Sequence, residues 1–335
     1  MFRYVTDKTK CFDKRYPCSI VDIDFERTPI YTADELIKHL KNTVADACND
    51  GKAAIALSGG IDSAILAYFA PKGTKAYTFR CIVPGKTVID ESAQAAHWAK
   101  LCDLDHEVVD ITWQDVEDVV DRLMLHKGAP IHSIEAQIYI AAQKAVEAGY
   151  TKFIFGENAD IIYGGMDGLL AKDWSYAEFA DRYTYVMPYK VLKDPLMVVA
   201  PYLAFEKAGH IDGHDFINTY FRQEALGTYH NACETAGIEF VGPYSETYLD
   251  GPIDYKRIRN GESKYLIREV FGKLYPDETP PVKIPMPRPT TEWFADWEGP
   301  VREEFIPYCT ADMSGDQKWM IWALERFLNI LDGEV

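Results

Sequence analysis

The hydrophobic pattern between residues 30 and 165 alternates between helical and strand spacing. Thr32 and Glu35 have the spacing of a capping box, and the apolar residues that follow recur on one helical face until Asp50 and Gly51 end the helix. Those apolar residues are Leu36, Leu40, Val44 and Ala47.

Short apolar runs predict parallel strands that are covered on both faces, at residues 53–57, 76–83, 107–111 and 153–155. Helices are predicted between the last two strands, at 116–125 and 134–148. Strands that alternate with helices predict an α/β fold with a doubly wound, mostly parallel sheet. After about residue 170 the pattern becomes mostly helical and rich in aromatic residues, which predicts a helical layer rather than a second sheet.

Composition narrows the classes of function. The chain has 335 residues, of which 47% are hydrophobic, enough for a large core. Its net charge is −17, which disfavours binding to the phosphate backbone of nucleic acids. No apolar run is long enough to span a bilayer, and the first ten residues lack the apolar stretch of a secretory signal, so we expect a cytoplasmic protein that does not bind membranes. Seven scattered cysteines without a CxxC pair predict a reducing compartment and no structural zinc.

A polar turn, Ser58-Gly59-Gly60-Ile61-Asp62-Ser63, follows the first buried strand and opens the next helix. Open α/β sheets bind ligands at this edge, and we expect the amides of the glycines and of the helix N-terminus to lack internal partners and to stabilise an anion. The turn lacks the lysine of GxxxxGK[ST] loops. Asp62 would repel a phosphate unless a hard cation such as Mg²⁺ lay between them, whereas a simple helix-capping turn would account for the serines and glycines alone.

Four stretches, the turn and three further ones, carry a resemblance to a known family. The turn at 58–63 resembles the pyrophosphate loop of N-type ATP pyrophosphatases, which adenylate their substrates. The segment GENADIIYGG at 156–165 resembles the G-E-G-A-D-E-x-x-G-G of the asparagine synthetases and β-lactam synthetases. Residues 262–278 and 281–294 are similar to the lysine-containing helix of that family and to the segment that follows it. The resemblance spans about residues 50 to 300 and implies an adenine nucleotide alpha hydrolase-like fold.

The resemblance implies a function and a site. It implies a ligase that adenylates a small-molecule carboxylate with ATP, releases pyrophosphate and transfers the acyl group to ammonia or an amine. It assigns Asp62 and Asp160 to Mg²⁺, Lys264 to the adenylation transition state, and Glu157 to the proton of the attacking amine. It assigns ATP and its pyrophosphate to Leu57, Ser58, Gly59, Gly60, Asp62, Ser63 and Gly156. The implied domains are an extension at 1–30, the amidoligase domain at 31–300 and a helical tail at 301–335 packed on that domain.

Other interpretations of these residues stay open at this stage. Asp160 could cap the next helix, and Lys264 could be a solvent-exposed helix lysine. The chain could also be a binding module for adenine nucleotides that has lost catalysis, or another adenylating branch, although the absence of CxxC and the charge disfavour tRNA thiolation.

The sequence departs from the family at three positions. Phe2 stands where the family's glutaminase domain has its nucleophilic cysteine, so we expect no glutamine hydrolysis and a nitrogen source that is ammonia, a separate glutaminase or an amine. Asn158 replaces a glycine and Ile161 replaces an acid in a turn expected to border the substrate pocket.

Overall fold

The computed structural model describes residues 2–23, 25–282, 284 and 286–333, and its centre is a parallel β-sheet. In chain order the strands and helices are β1 (Thr28–Ile30), α1 (Ala33–Cys48), β2 (Ala53–Ala56), α2 (Ile61–Phe69), β3 (Lys75–Cys81), α3 (Ser92–Leu101), β4 (Asp105–Ile111), α4 (Trp113–Lys127), α5 (Glu135–Glu147), β5 (Lys152–Ile154), α6 (Ala159–Ile162), α7 (Asp167–Leu170), α8 (Tyr176–Thr184), α9 (Ala200–Leu203), β6 (Glu206–Lys207), β7 (His210–Ile211), α10 (Gly213–Phe216), α11 (Arg222–Ala236), β8 (Glu239–Val241), β9 (Thr247–Leu249), α12 (Tyr255–Arg259), α13 (Tyr265–Leu274), α14 (Thr290–Trp293) and α15 (Gly315–Asp332). A 3₁₀-helix covers Pro188–Lys190 and a π-helix covers Ile217–Phe221.

The central sheet has the order β4-β3-β2-β5-β8, and all of its neighbouring strands are parallel. The chain places β3 and β4 on one side of β2 and then crosses to place β5 and β8 on the other side. The doubly wound parallel fold predicted from the sequence is therefore confirmed. The reversal lies between β2 and β5, and such a switch point is where sheets of this kind bind ligands.

The first helix forms as its capping pattern predicts. The hydroxyl of Thr32 accepts a hydrogen bond from the Glu35 amide at 3.3 Å, and the Glu35 carboxylate accepts one from the Thr32 amide at 2.9 Å. These bonds satisfy amide groups that a helix N-terminus leaves without partners. The four apolar residues predicted to share one face of α1 are all buried.

Both faces of the sheet are covered by apolar side chains. Along β2, Ala53 and Ile55 point into a core formed with α1, α2 and α13, while Ala54 and Ala56 point into a second core with α4, α5, α11 and α15. A strand buried on both faces must be apolar at every position, which explains the continuous apolar run that predicted it.

The second half of the chain is mostly helical, as predicted, but it also completes the sheet. Strand β8, which the sequence analysis did not predict, pairs with β5 at the edge of the central sheet. Strand β9 forms a separate parallel pair with β1. Within the described residues, no helix is long and apolar enough to cross a membrane.

Candidate active site

The polar turn 58–63 lies at the carboxyl end of β2 and is held by its own hydroxyl groups. The Ser58 amide donates to the Ser63 hydroxyl at 3.0 Å, and the two hydroxyl oxygens are 2.9 Å apart. The Gly60 amide donates to the Ser58 hydroxyl at 3.1 Å, so the expectation that this amide lacks an internal partner was wrong. Helix α2 begins at Ile61 with no side-chain cap, which leaves its N-terminus suited to an anion.

Glycines bring two other segments against this turn. A Cβ on Gly156 would lie 3.1 Å from the Ser63 amide nitrogen and 3.2 Å from the Asp62 Cβ. A Cβ on Gly59 would lie 3.1 Å from the Glu91 Cβ, just ahead of α3. A side chain at either position would require these neighbours to shift, so the glycines permit the close approach of the segments.

Lys264 joins the two predicted metal ligands. Its ammonium lies 2.5 Å from the Asp62 Oδ2 and 2.8 Å from the Asp160 Oδ1. The Lys264 side chain is only 7% exposed, so the interpretation of a solvent-exposed helix lysine was wrong. Asp160 lies in the first turn of α6, and its carboxylate faces the Lys264 ammonium. The structure therefore brings Asp62, Asp160 and Lys264 together at the mouth of the sheet.

The charge of Lys264 is stabilised by its neighbours. Burial alone would lower the pKa of Lys264, but the carboxylates of Asp62 and Asp160 outweigh burial and raise the pKa above its usual value. The backbone of Lys264 is left-handed, with φ of 55°. A non-glycine residue in this region is strained by about 1 kcal/mol or more, and such strain is concentrated at functional sites.

Gly165 belongs to this site although sequence reasoning did not select it. A Cβ on Gly165 would overlap the Asp160 Oδ1 and lie 2.5 Å from the Lys264 Cε. The Gly165 amide also donates to the Asp160 carbonyl at 2.7 Å. The available signal was the Gly-Gly pair that ends the segment 156–165.

Glu157 lies beside the other acids in a half-buried position. Burial raises the pKa of Glu157 to about 7, and the negative charges of Asp160 and Asp62 act in the same direction. A hydrogen bond from the Tyr229 hydroxyl and one from the Asn158 amide oppose that rise. Tyr229 was not predicted because it lies in α11, where no motif marks it.

The two departures from the family motif have structural explanations. Asn158 has φ of 70°, a left-handed conformation that glycine adopts freely and asparagine tolerates better than other residues. Its amide nitrogen donates to the Ser245 hydroxyl at 3.0 Å. Ile161 is buried in an apolar cluster that includes Leu169 and Phe179, so its side chain lies in the core.

Glu91 is a further acid at the site that the sequence did not suggest. A Cβ on Gly59 would lie 3.3 Å from the Glu91 Oε1, which places this carboxyl group against the turn 58–63. Burial raises the pKa of Glu91 to about 7, with Asp90 acting in the same direction.

Residues 35–232, which contain this loop, both aspartates and Glu157, match the family model described as asparagine synthase. The chain belongs to the asparagine synthase family. It is also similar to a solved structure of NMN synthetase from Francisella tularensis, with 14% sequence identity and a TM-score of 0.31, over 76% of this chain and 99% of that chain. No curated protein matches the chain.

Membership of the asparagine synthase family supports a synthetase-type ligase that uses ATP, the broad class that the sequence predicted. Lys264 lies outside the matched residues, so its place in the site depends on the geometry. Among the described residues, no group of three or more histidine, cysteine, aspartate or glutamate side chains is arranged to hold a metal ion. A cation at Asp62 and Asp160 would therefore need ligands from a bound nucleotide and from water.

Proposed function

We propose that this protein is an amide-forming ligase that cleaves ATP to AMP and pyrophosphate. A substrate carboxylate oxygen attacks the α-phosphorus, the bond from that phosphorus to the bridging oxygen breaks, and pyrophosphate leaves. The nitrogen of ammonia or an amine then attacks the acyl carbon, loses a proton, and expels AMP. The observation that carries the proposal is the contact of one ammonium, Lys264, with Asp62 and Asp160 beside the turn 58–63.

The residues present fit a magnesium ion. Carboxylate oxygens from Asp62 and Asp160 converge on a single cation, the Lys264 ammonium, so the same pair can face Mg²⁺. Magnesium prefers oxygen ligands and is commonly held by one or two carboxylates together with substrate phosphates. Asp62 and Asp160 would hold the ion, which when bound neutralises negative charge on the leaving pyrophosphate.

Of the other residues, those of the turn and Lys264 would act in adenylation, and Glu157 would act in amide formation. The α2 N-terminus and the serine hydroxyls of the turn would bind the pyrophosphate, because they offer donors to an anion. Lys264 would stabilise the negative charge that builds up around the α-phosphate. Glu157, with its pKa raised to about 7 by burial, would accept the proton of the attacking amine near neutral pH.

Exchange of labelled pyrophosphate into ATP tests this proposal. The protein is incubated with Mg²⁺, ATP, labelled pyrophosphate and single members of a panel of carboxylic acids. We expect exchange that requires one class of acid, and AMP with pyrophosphate as products once ammonia is added. Formation of ADP and phosphate would contradict the proposal. ATP binding without exchange for any acid would favour the alternative of a nucleotide-binding module.

A further inference from the structure

A large cavity lies apart from the turn 58–63, and Asp62, Glu157, Asp160 and Lys264 are not among the residues that line it. Its volume is about 1020 Å³. Most of its lining is apolar, and representative lining residues are Phe2, Met187, Leu196, Trp319, Leu324 and Leu328. Drug-sized ligands occupy pockets of about 300 to 1,000 Å³, so this cavity is far larger than an acid of the size of aspartate requires.

Two of the charged residues that line the cavity, Arg3 and Arg288, are paired within the protein. Arg3 pairs with Glu224 at 2.9 Å, and its guanidinium lies over the Tyr185 ring at 5.1 Å from the ring centre. Arg288 makes two bonds to Asp316, at 2.8 and 2.7 Å. Both arginines thus hold a carboxylate of the protein, and the mostly apolar lining suits the cavity to an apolar group.

A chain of contacts connects the cavity to Glu157. His132 lines the cavity, and its amide donates to the Glu135 carboxylate at 3.2 Å. The same carboxylate accepts a bond from the Asn231 side chain at 2.5 Å. Asn231 lies on α11, two residues from Tyr229, whose hydroxyl donates to Glu157. Helix α11 thus contacts Glu157 through Tyr229 and, through Asn231, the carboxylate that accepts a hydrogen bond from the cavity residue His132.

The rim of the cavity is also apolar. Residues 196–199, which are Leu-Met-Val-Val, line the cavity and are exposed to solvent, with Leu196 80% exposed. A contiguous run of exposed apolar side chains is unusual on a protein surface unless it meets a ligand or a partner.

We infer that this cavity holds the body of the acceptor substrate, and that the substrate is a carboxylic acid with a long or bulky apolar group. In this inference the carboxyl end of the acid reaches Asp62, Lys264 and Glu157, the residues of the candidate active site. The inference rests on the proposed function, and it adds the substrate class.

Two measurements on the full chain test the inference. The first is the fluorescence of dansylaminoundecanoic acid, which reports binding without ATP. The second is ATP–pyrophosphate exchange with hexanoate, octanoate, decanoate and aspartate. Because each buried methylene contributes about 0.8 kcal/mol, we expect the KM for exchange to fall about fourfold for each methylene added, and aspartate to be a poor substrate.

Ala180→Phe fills the cavity, because Ala180 lines it from α8. We expect this variant to weaken probe binding and to raise the KM for decanoate by about tenfold or more, since about three methylene equivalents of space are removed. Ala177→Phe on the exposed side of the same helix is the matched control and should change neither value. Thermal melting of both variants checks that they fold.

The outcomes separate the two proposals. Exchange with aspartate, together with no probe binding or no dependence on chain length, would overturn the inference and leave the proposed function standing. Probe binding that Ala180→Phe weakens, without exchange for any acid, would overturn the proposed function and with it the assignment of the cavity to a substrate.

Discussion

The ammonium of Lys264 lies 2.5 Å from a carboxylate oxygen of Asp62, although the two residues are 202 positions apart in the chain. Asp62 lies in the first turn of α2, and Lys264 is the residue that directly precedes α13. Helices α2 and α13 pack in the same apolar core, so the packing of that core fixes this ion pair.

Replacement of Lys264 tests its role in adenylation. Lys264→Ala should slow ATP–pyrophosphate exchange by at least about 10²-fold, the usual effect of losing one charged donor to a transition state. The affinity for ATP, measured by calorimetry, should change much less, because the additional negative charge exists only in the transition state. Lys256→Ala, at an exposed position on α12, is the control. A loss confined to ATP affinity would contradict this role.

The two aspartates are expected to act through the cation. Asp62→Asn and Asp160→Asn should each reduce exchange by about 10²-fold or more, since each replaces a charged oxygen ligand by a neutral one. The concentration of Mg²⁺ needed for half-maximal activity should rise for any residual activity. Asp167→Asn, at an exposed position on α7, should behave as the unmodified protein. If the magnesium dependence were unchanged in both variants, the assignment of the ion to Asp62 and Asp160 would be wrong.

Glu157→Gln should separate the half-reactions. Exchange should largely persist, while amide formation should fall by about 10² to 10⁴, the contribution of a general base. In the unmodified protein the rate of acyl transfer should rise with pH through about 7 and then level off, because the pKa of Glu157 is raised to about 7 by burial and only the carboxylate accepts a proton. Equal loss of both half-reactions would instead place Glu157 in the nucleotide or metal site.

Tyr229→Phe should shift that pH profile. The hydroxyl of Tyr229 stabilises the charged form of Glu157, so its removal should raise the pKa of Glu157 and move the midpoint to higher pH by up to about one unit. The rate at the high-pH plateau should change less than the rate at neutral pH. Tyr189→Phe removes an exposed hydroxyl and serves as the control. An equal loss at every pH would indicate a packing defect.

Gly165→Ala should disable the site through steric overlap. The added methyl group would overlap the Asp160 carboxylate and crowd the Lys264 side chain, so both must move. We expect pyrophosphate exchange to fall by about tenfold or more, since positioning errors of about 1 Å are costly to catalysis. Gly168→Ala is the matched substitution, because its added Cβ would meet only Arg182, at 3.6 Å. Full activity of Gly165→Ala would show that the close approach is unimportant.

The strongly patterned elements of the fold were predictable from the sequence. Helix α1 carries a capping box and a clean apolar face, and β2 is apolar at every position. Strand β8 was missed because it has only three residues and takes its stability from pairing with β5, which local pattern does not reveal.

The site was predictable where a local motif carries it. Asp62, Asp160 and Glu157 follow the carboxyl ends of β2 and β5, so topology alone brings them together. Lys264 and Tyr229 come from helices whose positions depend on tertiary packing, and residue type and spacing do not determine which of their faces reaches the sheet. Ile161 is the opposite case. It lies inside the motif at 156–165, but its side chain is buried in an apolar core.

The ion pair at Lys264 also has a consequence for the order in which the protein matures. Synthesis proceeds from the N-terminus, so Asp62 leaves the ribosome 202 residues before its counter-ion. A nascent chain that has already formed the central sheet holds Asp62 and Asp160 side by side with their mutual repulsion uncompensated. The docking of α13 supplies the ammonium that offsets this repulsion, so the cluster of Asp62, Asp160 and Lys264 is complete only after residue 264 has been synthesised.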